Sequence, residues 1–176
     1  IDTATFTRVA RWPTESHPNE MVLGDDGRLY VANANHNTVS VLDVKDDGRA
    51  TETLLAELQP GSPPGNTPNS LALAPGGRRL FVANANINTV AVFDVATPGK
   101  ARSLGFIPVG WYPTSVRVSA DGRTLYVANG KGEIPKDFWL TYSAMANAHG
   151  GVVLLGVREK NGQFSIAGLE NPSKVR

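Results

Sequence analysis

Three histidines (His17, His36, His149) and three tryptophans (Trp12, Trp111, Trp139) are the side chains of this 176-residue chain best suited to ligate a metal or stack on a ligand. Imidazoles hold a metal when two or three converge, usually with a thiolate or carboxylate to complete the set. The chain has no Cys, no HExxH and no His/Asp doublet, so solvated loop histidines are expected, and no metal and no cofactor is assigned. Nucleophilic catalysis has no better footing: GxSxG is missing, and spacing fixes no Ser/His/Asp set. Trp12 and the Trp111-Tyr112 pair could form an aromatic platform for a sugar, peptide or apolar ligand, with His17 in the same loop as Trp12. As wedges between neighbouring repeats, which is the favoured reading, the same rings would need no ligand.

The elements that must position these residues come from a repeat. Tyr30–Val44 (YVANANHNTVSVLDV) returns as Phe81–Val95 (FVANANINTVAVFDV), matching at eleven of fifteen positions. A third copy opens as YVANG at Tyr126 and resumes as GVVLLGV at Gly151. Each copy reads as four short strands separated by turn chemistry. In the middle one, Ser70–Ala74, Arg79–Ala83, Thr89–Val95 and Ala101–Ile107 are broken by Pro-Gly-Gly, an Asn-rich stretch and Thr-Pro-Gly. Leu80 to Ala83 are apolar without alternation, as in a strand covered on both faces. Four antiparallel strands per unit, repeating after 51 and 45 residues, predict an all-β fold, a β-propeller. Its blades are expected at 20–57, 70–107 and 114–168, the last with an insertion at 130–150. Thr5–Ala10 is expected to be an orphan outer strand of a further blade, so the segment is an incomplete propeller.

Strand order sorts the loops onto two faces. Turns after the first and third strands are short Asp-Gly, Gly-Gly, Pro-Gly and Asn-Gly pairs, and no chemistry is expected on that face. The other face holds the inter-blade loops Arg11–Asn19, Gln59–Asn69 and Val109–Thr114, and each leads into the innermost strand through a proline, Pro18, Pro68 or Pro113. These prolines are expected to set extended geometry and start the strand. Asn33, Asn84, Asn129, Asn37 and Asn88 recur with the fold and read as turn formers. Asp43 and Asp94 are placed to accept from turn N–H groups; Gly156 in the third copy argues against a shared catalytic duty. The insertion is the strongest binding candidate, with Lys131, Phe138, Trp139 and Tyr142 giving it charge and aromatic area. Residues 138–148 are expected to be a short helix, and a self-packed Ω-loop is the alternative.

Composition narrows the partners. Basic and acidic residues nearly cancel, 17 against 16, so a nucleic-acid surface is not expected. No apolar run approaches the ~20 residues of a membrane span. The chain opens on Ile1 and is expected to begin inside a longer polypeptide. Open blade flanks also demand cover: ~400 Å² left exposed would forfeit ~10 kcal/mol at about 25 cal/mol/Å². The expected partners are therefore missing propeller blades or a second copy, besides a protein or small molecule on the insertion face.

The tetrads Tyr30-Val31-Ala32-Asn33, Phe81-Val82-Ala83-Asn84 and Tyr126-Val127-Ala128-Asn129 resemble the signature of the YVTN (YncE-like) β-propeller family, with Ala in place of Thr in every copy. That resemblance implies an exported protein, periplasmic or extracellular. Gly110-Trp111-Tyr112-Pro113-Thr114, followed by Tyr126–Gly132, is similar to the propeller half of exported proteins that continue into an alkaline-phosphatase-like phosphoesterase domain. Any metal ligands and nucleophile of such an enzyme would lie outside this chain. The expected function is a non-catalytic recognition or scaffold segment. The alternatives are the propeller part of a metal-dependent phosphoesterase and a lactonase-like hydrolase.

Overall fold

The computed structural model describes residues 1–59 and 61–130, together with two short strands at 157–160 and 163–166. The chain divides into two compact units, Ile1–Pro135 and Lys136–Arg176. In the second, β11 (Val157–Lys160) and β12 (Gln163–Ile166) form an antiparallel hairpin closed by the Lys160–Gln163 pair. The insertion from residue 131 onward, the expected helix at 138–148, His149 and the strand start at Gly151 lie outside the described residues.

The first unit carries the repeat. β1 (Pro18–Leu23), β2 (Arg28–Asn33), β3 (Thr38–Asp43) and β4 (Arg49–Leu55) make one four-stranded antiparallel sheet in chain order. β5 (Pro68–Leu73), β6 (Arg79–Asn84), β7 (Thr89–Asp94) and β8 (Arg102–Pro108) make the second. β9 (Pro113–Val118) pairs with β10 (Leu125–Asn129) as the inner strands of the third repeat. These are propeller blades, each strand joined to the next by a tight turn. Asp43 and Asp94 act as expected, accepting from the N–H of Lys45 at 2.9 Å and of Ala96 at 3.1 Å.

Neighbouring blades are joined by their apolar faces. Tyr30, Ala32, Val39, Val41 and Leu54 of the first pack with Leu71, Leu80, Val82, Ala91 and Phe93 of the second. Ala72, Ala83 and Val90 on the far side of the second blade close over Val116 of β9. Sheet faces alternate with residue number, so equivalent side chains report on the neighbour they face. The aromatic of the tetrad points to the following blade: Tyr30 is 1% exposed, Phe81 half-buried and Tyr126 60% exposed. On the opposite flank, Leu71 is 3% exposed while its counterpart Met21 is 64% exposed.

Two backbone features repeat that the sequence reading did not anticipate. Each innermost strand has a bulge just after its proline, at Pro18/Glu20, Pro68/Ser70 and opposite Ala128/Asn129. The residue before each proline is left-handed, His17 at φ 58°, Thr67 at φ 55° and Tyr112 at φ 59°. The expected extended lead-in is thus corrected, although β1, β5 and β9 do start on the prolines. A repeated hydrogen bond explains the geometry: the carbonyls of His17, Thr67 and Tyr112 accept from the N–H of Ala34, Ala85 and Gly130 at 2.8–3.0 Å. Left-handed backbone costs a non-glycine residue about 1–3 kcal/mol and persists where its surroundings demand it.

The expected outer strand at Thr5–Ala10 is not formed. Residues 1–17 carry no strand, and Phe6 and Val9 are solvent-exposed. A short segment becomes a strand only against a ladder partner, and among the described residues none lies beside it.

Leu80 is fully buried at the interface of the two blades. Leu80→Ala should therefore lower unfolding free energy by about 2–5 kcal/mol, and Val9→Ala by less than ~0.5 kcal/mol, as read by urea titration. A second expectation concerns acid. Asp94 is held below the usual carboxylate range by the N–H of Ala96 and the Arg102 guanidinium, and Asp121 by the Ser119 hydroxyl and the N–H of Arg123. Folded values below unfolded ones mean stabilisation that is present above the ordinary carboxylate pKa and lost as pH falls through the folded values. Unfolding midpoints should drop below about pH 4, and the drop should be shallower in an Asp94→Asn, Asp121→Asn double variant.

Candidate functional site

The loop face is assembled by asparagines. Asn37 closes the β2–β3 turn in left-handed geometry, at φ 55°. Its Oδ1 accepts from the N–H of Gly65 at 2.9 Å and of Asn66 at 2.8 Å, and its Nδ2 donates to the Pro63 carbonyl at 2.9 Å. One buried side chain thus carries the loop that crosses from β4 to β5. Asn66 adds a bond to the Ala56 carbonyl, and Asn86 donates to Gly65 and Thr67. Asn88 repeats the scheme one blade on: φ is again 55°, and its Oδ1 accepts from the N–H of Tyr112 at 2.8 Å. The backbone carbonyls of Asn37 and Asn88 also receive the N–H of Ala56 and Val109, the residues just beyond the outer strands. Turn formation was legible in these residues; their role as anchors of the inter-blade loops was not.

Closer to the axis a second tie repeats. Glu20 on β1 accepts from the N–H of Leu71 on β5 at 3.1 Å. Ser70, its equivalent on β5, accepts from the N–H of Val116 on β9 at 3.1 Å. Each innermost strand exposes a row of N–H groups along its free edge, and the preceding blade supplies an acceptor. Arg117 approaches Glu20 at 3.6 Å, adding an ion pair across all three inner strands.

The sequence-selected residues are not brought together as one group. Trp111 and Tyr112 are half-buried on the loop face, where Tyr112 leads into β9. His17 is exposed on that face, with its carbonyl on the Ala34 N–H. His36 Nδ1 lies 3.1 Å from a Glu15 carboxylate oxygen, both side chains about half exposed; a contact so exposed contributes little. Trp12 lies elsewhere. Its indole N–H donates to Asp47 at 3.2 Å in the β3–β4 turn, and a Cβ at Gly48 would collide with the ring. The loop Arg11–Asn19 therefore runs the height of the first blade from turn face to loop face, a correction to its expected place on the loop face alone. Indole can seat there because Gly48, at φ 68°, leaves the space open. Lys131, Phe138, Trp139 and Tyr142 lie outside the described residues. Among the described residues, no group of three or more His, Asp or Glu side chains is close enough to hold a metal, and no helix is long and apolar enough to cross a membrane.

Comparison with known proteins places this geometry among propellers. The family model for the choice-of-anchor I domain matches residues 19–171. No curated protein matches the chain. Among solved structures, it is similar to the hydrazine synthase of Kuenenia stuttgartiensis (26% identity, TM-score 0.53), covering 64% of this chain and 29% of that one. It is also similar to a candidate 6-phosphogluconolactonase from Bacteroides fragilis (24% identity, TM-score 0.57; 65% and 32% covered). The Cps50 β-propeller domain of Myceliophteria thermophila shares the fold at 15% identity and TM-score 0.54, with 71% and 38% covered. The chain spans about a third of the length of the structures it matches.

The anchoring scheme predicts unequal costs. Asn37→Ala removes three side-chain bonds and places Ala at positive φ, a loss of about 4 kcal/mol from bonds worth roughly 1 kcal/mol each plus about 1 kcal/mol of backbone strain. Asn88→Ala, with a single side-chain bond to its loop, should lose about 2 kcal/mol on the same scale. Chemical denaturation of the two variants gives the order directly.

Proposed function

The chain belongs to the choice-of-anchor I domain family, and we propose that it works as a non-catalytic recognition or scaffold segment of an exported propeller. The family's name, with its reference to anchoring, supports export. The tetrads at Tyr30, Phe81 and Tyr126 support the finer kinship with YVTN (YncE-like) propellers. The observation that carries the proposal is the state of the loop face. Its asparagine side chains and pre-proline carbonyls hold backbone from neighbouring loops, which makes a fixed platform from which the 130–150 insertion departs. Sites borne on rigid scaffolds lose less conformational entropy on binding than mobile ones.

Partner contact then falls to the insertion, through Lys131, Phe138, Trp139 and Tyr142, with Trp111 and Tyr112 on the platform beneath its start at Gly130. The open flanks call for separate cover. Met21 and Leu23 on one side and Tyr126 on the other are exposed where equivalent residues are buried or half-buried, which supports further blades of the same fold, or a second copy, as their neighbours. A phosphoesterase or lactonase activity rests on resemblance alone, since a shared fold does not imply shared chemistry.

Affinity capture with the full-length exported protein tests the reading. Trp139→Ala with Tyr142→Ala should lose the captured partner while the urea midpoint stays that of the parent. Capture that survives the double variant, or turnover of a sugar lactone by the parent that is lost on His17→Ala, would replace recognition with another role.

A further inference from the structure

Among the described residues, no blade covers the outer flank of the first blade, yet half of that flank is buried. Tyr30, Ala32, Val39 and Val41 face the second blade, so Met21, Leu23, Val31 and Leu42 lie on the opposite side of the sheet. Val31 is 4% and Leu42 2% exposed, against 64% for Met21 and 58% for Leu23. Their counterparts in the second blade, Val82, Phe93, Leu71 and Leu73, all pack against the first blade. The segment ahead of β1 is placed to cover the β2–β3 half. The His17 carbonyl holds Ala34, just past β2, while Trp12 seats at Gly48 and Asp47, at the other end of β3. The five steps between them reach about 17 Å at ~3.3 Å each, enough chain to cross the flank directly. Strand register makes Ala101 the counterpart of Gly48, and Glu52 of the first blade accepts the Ala101 N–H at 2.8 Å. At Gly48 the indole thus takes the place that a preceding blade takes at Ala101.

We propose that residues 11–17 are an autoinhibitory strap: latched by Trp12, they withhold this flank from a second copy of the chain, which would seat its Tyr126 flank there. Tyr126 is 60% exposed. Its counterpart Tyr30 packs in one cluster with Leu71, the counterpart of Met21. Ser115, paired with Ala128, stands where Glu20 and Ser70 stand in the blades before it, and both of those accept an N–H from the next inner strand. The two open flanks are therefore two halves of one repeated contact, and head-to-tail pairing of copies continues it. The latch is light. It has one indole bond to Asp47 and one glycine seat, and an open hollow of ≈ 520 Å³ lies beside Trp12, Pro13, Thr14 and Pro18. The pairing rests on the reading that the open flanks take blades of the same fold; the strap does not.

Sedimentation equilibrium of the 176-residue chain, with methyl NMR of Val31 and Leu42 in a soluble gadolinium chelate, compares the parent with Trp12→Ala. Gly48→Ala, which fills the seat and keeps the indole, is the second variant. Both should open Val31 and Leu42 to the chelate while Val82 stays shielded. If the strap is open in about a tenth of parent molecules, self-association should tighten about tenfold, because apparent affinity scales with the competent fraction. Adding Tyr126→Asp to Trp12→Ala should abolish that association. Val31 and Leu42 as shielded in Trp12→Ala as in the parent would overturn the strap and leave the flanks' need of neighbours standing. Opened methyls with unchanged association, or association indifferent to Tyr126→Asp, would overturn the pairing and the reading of the flanks beneath it.

Discussion

The contact on which everything else depends is the face of one blade against the next. A four-stranded sheet such as the second, with Val82 wholly buried on one face and Val90 on the other, cannot stand alone in water, because both of its faces are apolar. Burying a side chain of that size contributes about 1.5–3 kcal/mol, and each interface holds several. The polar ties run alongside this burial. Glu20 to Leu71 and Ser70 to Val116 close the free inner edge of each sheet with an acceptor from the preceding one, so that packing and edge-pairing use the same neighbour. Removing a blade would expose apolar area and leave N–H groups unpaired at once.

That constraint also divides the labour between the two ends of the blades. At the loop end, the chain must cross from an outer strand to the next inner strand. The left-handed residues before Pro18, Pro68 and Pro113, with the asparagines at 37 and 88, make that crossing repeatable. At the turn end, the crossings are short.

Much of the fold was legible in the sequence because the repeat marks equivalent residues. The strands found at Arg28–Asn33, Arg79–Asn84 and Thr89–Asp94 stand within a residue of where apolar runs and Asn or Asp turns put them. Less was legible where the outcome depends on a distant partner. Thr5–Ala10 was expected as a strand but has no ladder beside it among the described residues, and Trp12 belongs to the turn at Gly48 because a glycine 36 residues away leaves room for indole. The left-handed pre-proline residues run against local preference and are held by a carbonyl bond to the next strand pair.

The most direct test of blade-on-blade dependence is native-state amide hydrogen exchange at Leu71 and Val116. Both N–H groups lie on free inner edges and are bonded only by a side chain of the blade before. The account predicts protection at both amides close to that of Val82 in the sheet interior, lost at Leu71 in Glu20→Ala. Exchange at both as fast as in the strand-free, exposed stretch at Arg8–Ala10, with Val82 still protected, would contradict it.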